Sequence, residues 1–199
     1  MRRNVSNAAR GGSLAGLVVA LAVFALLAAA AAARLAPAAR GPAALAAARD
    51  LAARWRSLAR AARADGRDRA IVFPLSGGDE PLVEAADGDG DGVGRDDIAR
   101  GVDAAGPPFT IARDHPGARI GKPRRRLPAV PPSTGFIEPD DPAVRFGPSR
   151  MAVVTAEGHA TPGSLFVTSG GSVCAVVIHG AALRIRIYCL SAGGAWRRR

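Results

Sequence analysis

Lysine is nearly missing from this chain: Lys122 is the only one among 27 basic residues, against 17 acidic ones, for a net charge of +10. Every other cationic contact must therefore come from arginine, a planar donor that does not lose its charge. Cysteine is limited to Cys174 and Cys189. That count excludes a disulfide scaffold and a cysteine-rich metal site, and leaves room for a single bridge. Aromatic residues make up 5%, so the core must be built from Val, Ile, Leu and Ala. The three histidines, His115, His159 and His179, show no ligand spacing, and no G-x-S-x-G, C-x-x-C or phosphate-cradling glycine loop occurs. No enzyme signature is present, and the chain is expected to catalyse nothing.

What the sequence has in quantity is an uncharged run from Gly11 to Ala33. A bilayer-spanning helix needs ~20 apolar residues, so the run predicts a transmembrane helix over 12–34. Its leucines, valines and phenylalanine contribute about −3 to −5 kcal/mol toward insertion. Arg2, Arg3 and Arg10 precede the run, while Arg34, Arg40 and Arg49 follow it, so charge asymmetry barely orients it. The expected placement is a single-pass bacterial inner-membrane protein with its C-terminal domain in the periplasm. A cleaved secretory signal is the competing reading, since alanines end the run.

Pro37 is expected to kink or interrupt the helix, and Pro42 to open the next segment. Over Ala43–Ala64, Leu51, Trp55, Leu58 and Ala62 fall on one narrow stripe at 3.6 residues per turn. Arg49, Arg56, Arg60, Arg63 and Arg67 lie opposite. Strand signals follow at Arg69–Phe73, Leu82–Ala85, Phe109–Ala112, Val144–Phe146, Met151–Thr155, Ser164–Thr168, Val173–His179 and Leu183–Leu190. Ser76-Gly77-Gly78-Asp79 and Ser169-Gly170-Gly171-Ser172 have turn composition. Residues 113–135, rich in Pro and Arg, read as a long loop. The expected fold class is α+β: a long N-terminal hydrophobic (transmembrane) α-helix continuing into an amphipathic helix, then a pilin-like antiparallel β-sheet domain.

Three groups of residues are candidates for chemistry. Asp87, Asp89 and Asp91, followed by Gly92, repeat the opening of an EF-hand-type loop, with oxygen ligands at positions one, three and five. Position twelve is Ile98 in place of a bidentate Glu, and Arg95 sits within the loop. Calcium is thus a candidate cofactor, and a solvated acidic loop is the other reading. A two-residue turn at Ala181-Ala182 would place Cys174 opposite Cys189, either bridged or as two small core residues. Arg184, Arg186, Trp196, Arg197, Arg198 and Arg199 combine arginines with an aromatic, a pattern that grips a nucleic-acid backbone and stacks a base. An exposed, frayed terminus is the alternative there.

The junction Arg10-Gly11-Gly12-Ser13-Leu14, ahead of the apolar run, resembles the processing signal of type IV pilins and pseudopilins. The resemblance implies that prepilin peptidase cuts between Gly11 and Gly12 and that the apolar helix is kept, its new N-terminus methylated. Gly12 stands where that family usually has Phe, and Gly16 where it usually has Glu. Gly12, Gly16 and Ala20 form instead a small-residue step that lets helices approach closely. Helix Asp50–Arg69 leading into AIVFP, the loop EAADGDGDGVGRDDIARGVD, and the closing stretches VRFGPSRMAVVTAEGHATPGSLFVT and AVVIHGAALRIRI resemble, in that order, the GspH/FimT family of minor pseudopilins.

That resemblance implies a leader over 1–11, the apolar helix over 12–34, a kinked linker and amphipathic helix over 35–67, and a β-rich domain over 68–199. The implied function is structural, as a subunit of a type II secretion pseudopilus. Its implied partners are prepilin peptidase, other pseudopilins or pilins, the inner membrane and secreted cargo. A DNA-contacting minor pilin of a type IV pilus is the alternative, and a membrane-anchored or secreted binding domain is a third.

Overall fold

The computed structural model describes residues 14–76, 80–180 and 183–199, without the side chains of residues 15 and 30–41. Gly11, Gly12 and Ser13 of the processing signal therefore lie outside the described residues, as do most of the Ser76–Asp79 turn and the Ala181-Ala182 turn. The chain divides into two units, Met1–Ala38 and Ala39–Arg199.

Helix α1, Leu14–Asp65, is assigned through Pro37 and Pro42, with no helix end at either. Among the described residues, no helix is long and apolar enough to cross a membrane. Beyond Pro42 the helix mixes alanine with arginine. The expected fold class with its transmembrane helix is corrected accordingly. The single-pass inner-membrane placement and the periplasmic domain it implied are corrected with it. What is present beyond α1 is a mostly antiparallel sheet domain.

Within the second unit, α1 buries Ala44, Ala47, Ala48, Leu51, Ala52, Trp55, Leu58, Ala59 and Ala62, a continuous stripe at helical spacing. Arg49, Arg56, Arg60 and Arg63 lie on the more exposed side. Gly66 follows the last turn with φ 66°, the left-handed conformation that closes helices at low steric cost.

Strand β1 (Arg69–Val72) pairs with β2 (Val83–Ala86) and, 80 residues later in the chain, with β8 (Met151–Val154). Helix α2 (Arg95–Arg100) and strand β3 (Ala104–Ala105) follow β2, giving the sheet order β3-β2-β1-β8. Arg54 of α1 ties this sheet to the helix. Its guanidinium meets Asp50 at 3.2 Å and Glu84 at 3.3 Å, and lies 4.2 Å over the Phe109 ring. The strand expected at Phe109–Ala112 is instead one bridge, Leu82 to Phe109, followed by helix α3 (Ile111–Asp114).

A second sheet carries β4 (Arg119–Ile120), β7 (Val144–Arg145), β9 (Gly163–Ser169), β10 (Ser172–His179), β11 (Arg184–Leu190) and β12 (Trp196–Arg198), ordered β12-β11-β10-β9-β4 with β7 also on β9. Both of its faces are covered. Leu165, Val167, Cys174, Val176 and Ile178 join the cluster under the α1 stripe. Phe166, Val173, Ala175 and Tyr188 join a second cluster with Leu127, Val130 and Ile137. Those last three belong to a small flap, β5 (Leu127–Pro128) paired with β6 (Phe136–Ile137). Covering on two sides explains why β9 and β10 read as nearly unbroken apolar runs. It also shows that the segment expected as loop 113–135 supplies part of the core.

Candidate functional site

The acidic loop begins where β2 ends. Asp87 N–H donates to Asp68 O at 3.0 Å, which fixes the loop's first residue beside β1. The Asp87 carboxylate is buried and turns back on its own loop: Oδ1 accepts from Asp89 N–H (3.2 Å) and Gly90 N–H (2.8 Å), and Oδ2 from Gly92 N–H (3.3 Å). Asp103, equally buried, accepts from Gly88 N–H (3.0 Å) and Gly94 N–H (2.7 Å), clamping both ends of the loop. A glycine is required at position 88, because a Cβ there would stand 1.9 Å from the Val102 carbonyl oxygen.

In this setting, oxygens of Asp87, Asp89 and Asp91 lie within 4.8 Å of one another, and Asp89 and Asp91 are exposed. The Asp91 carboxyl is held above the usual carboxylate range. The chief cause is its hydrogen bond with Asp89, followed by the charges of Asp89, Asp97 and Asp87. Carboxylates crowded this closely repel one another, and a divalent cation would answer that repulsion. Arg95 Nε donates to Ser149 O at 2.7 Å and its Nη2 to Phe73 O, contacts that hold the guanidinium on main-chain carbonyls and leave its charge in place. Arg100 pairs with Asp97.

The chemistry on hand suits a hard, oxygen-seeking cation held by three carboxylates, water filling the remaining positions. Without a carboxylate at Ile98, any calcium held by these three carboxylates would be bound only in the weak range, on the order of 10⁻⁴–10⁻³ M. With the Asp91 pKa raised in the folded chain, its protonation favours the fold below the ordinary carboxylate pKa, and that gain is lost as pH rises through the elevated value. Calcium is thus expected to raise Tm near neutral pH and to lose this effect near ~pH 4, where the proton competes. Melting curves with and without calcium at the two pH values check this; identical shifts, or none at either pH, contradict it.

The cysteines meet across β10 and β11, whose register sets Cys174 opposite Cys189, and a disulfide joins them. The basic C-terminal group is dispersed. Along β11, Arg184 and Arg186 share the face of Tyr188, which packs toward the flap. Arg198 pairs with Tyr188, whereas Arg197 pairs with Cys189 and points to the opposite face. Trp196 is not available as a stacking platform. Its ring packs 6.2 Å from Phe166, and its Nε1–H donates to Pro128 O at 2.8 Å. The end that reads as a frayed terminus is thus the edge strand β12, pinned by its tryptophan.

Of the small-residue step, a Cβ added at Gly16 would meet nothing within 4 Å, and Ala20 is exposed. Sequence reasoning missed Asp103, which lies 15 residues from its partner Gly88 and carries no motif of its own. It also missed a basic cavity beside the β9–β10 turn, where Arg119 and Lys122 come from the segment read as loop. Compared with family models, curated proteins and solved structures, the chain has no match.

Proposed function

We propose that the chain is a minor pseudopilin, a structural subunit of a type II secretion pseudopilus that works by assembly and performs no catalysis. The observation that carries this reading is the bare apolar surface on the first turns of α1. Leu14 is 82% exposed, Phe24 75% and Leu26 71%, with Leu17, Val19 and Leu21 also uncovered. Contiguous exposed apolar surface marks an interaction site. Here it includes Gly16 and Ala20, whose small side chains allow close helix–helix approach. Most large apolar groups elsewhere in the described chain are buried, so the exposure is concentrated in one place. The order of sequence stretches that resemble the GspH/FimT family supports the same reading. It rests on packing between subunits and needs no bilayer span.

Co-expression with a prepilin peptidase tests it. The mature chain is expected to begin at Gly12. A mature terminus near residue 34 or later, or a precursor that the peptidase leaves intact, overturns the proposal. In the same system, Gly16→Leu is expected to reduce recovery of the subunit with sheared filaments several-fold. A side chain at that position meets nothing within the described chain, so the loss would report contact between subunits. Unchanged recovery would remove the small-residue step from the interface.

A further inference from the structure

Strands β9 and β10 are joined by Gly170-Gly171, with φ of 55° and 87°. Two positive φ values in a two-residue turn are the pattern of a tight type I′ hairpin, accessible to glycine at little cost. Beside this turn opens a cavity of about 490 Å³. Its basic wall is set by β4, which pairs with β9 so that Arg119 stands opposite Thr168. Lys122, two residues past β4, also lines it. The Lys122 ammonium is steadied by the carbonyl oxygens of Glu138 (2.6 Å) and Pro139 (2.7 Å), which orient the charge without neutralising it. Arg119 is exposed and has no ion-pair partner among the described residues. No acidic side chain lines the cavity, whereas Thr168, Ser169 and Ser172 bring hydroxyls to it.

Ser169 supplies the independent observation. It is 3% exposed, yet its Oγ has no hydrogen-bond partner. A buried hydroxyl left unpaired is costly, and native structures rarely keep one without a use. It faces Gly117, another residue of the cavity wall; a Cβ on Gly117 would come 3.6 Å from the Ser169 oxygen. The N–H groups of Gly170 and Gly171 donate to no protein acceptor among the described residues. Arg119 shares the face of Thr168 and Ser169 alternates to the other face, so the cavity at the hairpin end receives two cations and several unspent donors from both sides of β9 and no carboxylate, the makings of a receptor for a multiply charged oxyanion.

We propose that this cavity binds the phosphate group of a small phosphorylated ligand. A planar carboxylate carries one charge and would leave part of the donor set unmatched. A tetrahedral phosphate offers three or more acceptor oxygens and up to two negative charges. The volume lies in the range of small-molecule sites, ~300–1,000 Å³, so it accommodates a body attached to the phosphate as well as the phosphate itself. The site shares no residue with the apolar surface of α1 and stands whether or not the chain assembles into a filament.

Inorganic pyrophosphate, titrated calorimetrically into the full chain at ~0.1 M salt, is the probe. Saturable one-to-one binding is expected. Arg119→Gln and Ser169→Ala are each expected to weaken it about tenfold. Ser169→Ala should leave Tm unchanged or raised, because the lost hydroxyl has no partner within the protein; its weakened binding then cannot be unfolding. Arg60→Gln, an exposed charge on α1, should bind like the original chain. Equal losses in Arg60→Gln and Arg119→Gln, absence of saturable pyrophosphate binding, or binding of an oligonucleotide with none of pyrophosphate would each overturn the proposal.

Discussion

Trp55→Ala is expected to remove about 3–5 kcal/mol of stability, the range for emptying a large aromatic site in a core. For a domain of this size that corresponds to a fall in Tm of roughly 6–20 °C. Trp55 is fully buried on the α1 stripe, and it meets the rings of Phe146 at 5.7 Å and Phe73 at 6.2 Å. Those two phenylalanines stack on each other at 5.6 Å, so the indole completes a three-ring group joining α1 to the residues that follow β1 and β7. Trp55→Phe is expected to cost far less. The indole Nε1–H is buried with no partner, and removing an unmade donor recovers part of the ~1–3 kcal/mol that it costs. Thermal unfolding of the three proteins decides the matter. A Phe variant as unstable as the Ala variant would mean that the indole nitrogen finds a partner.

Loss of the Cys174–Cys189 bridge is the second large effect. The two residues are 15 apart in sequence, and a loop of about that length is stabilised by ~3 kcal/mol when closed, through restriction of the unfolded chain. Replacing both cysteines with alanine, or adding reductant, should therefore shift the denaturant midpoint down and steepen the slope, because the unlinked unfolded chain exposes more surface. Cys174 is buried in the cluster under α1, and Cys189 packs at its margin, so alanine leaves a small void in addition. Mass measurement with and without reductant reads the bridge directly. Coincident unfolding curves in the two conditions would contradict the expectation.

How far the sequence could be read depended on whether one periodicity governed a segment. The α1 stripe from Leu51 to Ala62 was legible because each apolar residue recurs after three or four positions. Strands β9, β10 and β11 were legible as β-branched runs; the Gly-Gly turn marked the first hairpin, and an assumed two-residue turn at Ala181-Ala182 set Cys174 opposite Cys189, with a register two residues different as the alternative, and the observed register has them opposite. The flap was not. Leu127–Pro128 and Phe136–Ile137 are too short to alternate, and proline stands inside the first, so their contribution to the core came only from tertiary placement. β12 looked like a frayed basic end because Arg197 to Arg199 have no apolar rhythm; its pairing is decided by Trp196 packing on Phe166 and the flap. The membrane-spanning reading is overturned because, among the described residues, no helix is long and apolar enough to cross a bilayer.

The acidic loop divides in the same way. The spacing of Asp87, Asp89 and Asp91 was visible, and so was the missing carboxylate at Ile98. That Asp87 would spend its oxygens on Asp89, Gly90 and Gly92 N–H groups, or that Asp103 would close the loop from beyond α2, depends on the folded path of the chain. The basic cavity was hidden for a related reason: Arg119 and Lys122 acquire their meaning only when β4 is laid beside Thr168.

The pairing of β1 with β8 has a consequence for how the protein is made. Asp68 Oδ1 accepts the Ala156 N–H across a separation of 88 residues, and β1 takes one of its two neighbours from the same distant stretch. At ~5–20 residues per second of synthesis, Trp55 on the oily flank of α1 leaves the ribosome about 5–19 s before β8, which begins at Met151, joins the core with it. Throughout that interval the nascent chain shows Trp55 and Leu51 to its surroundings, and a holding chaperone has its natural target there.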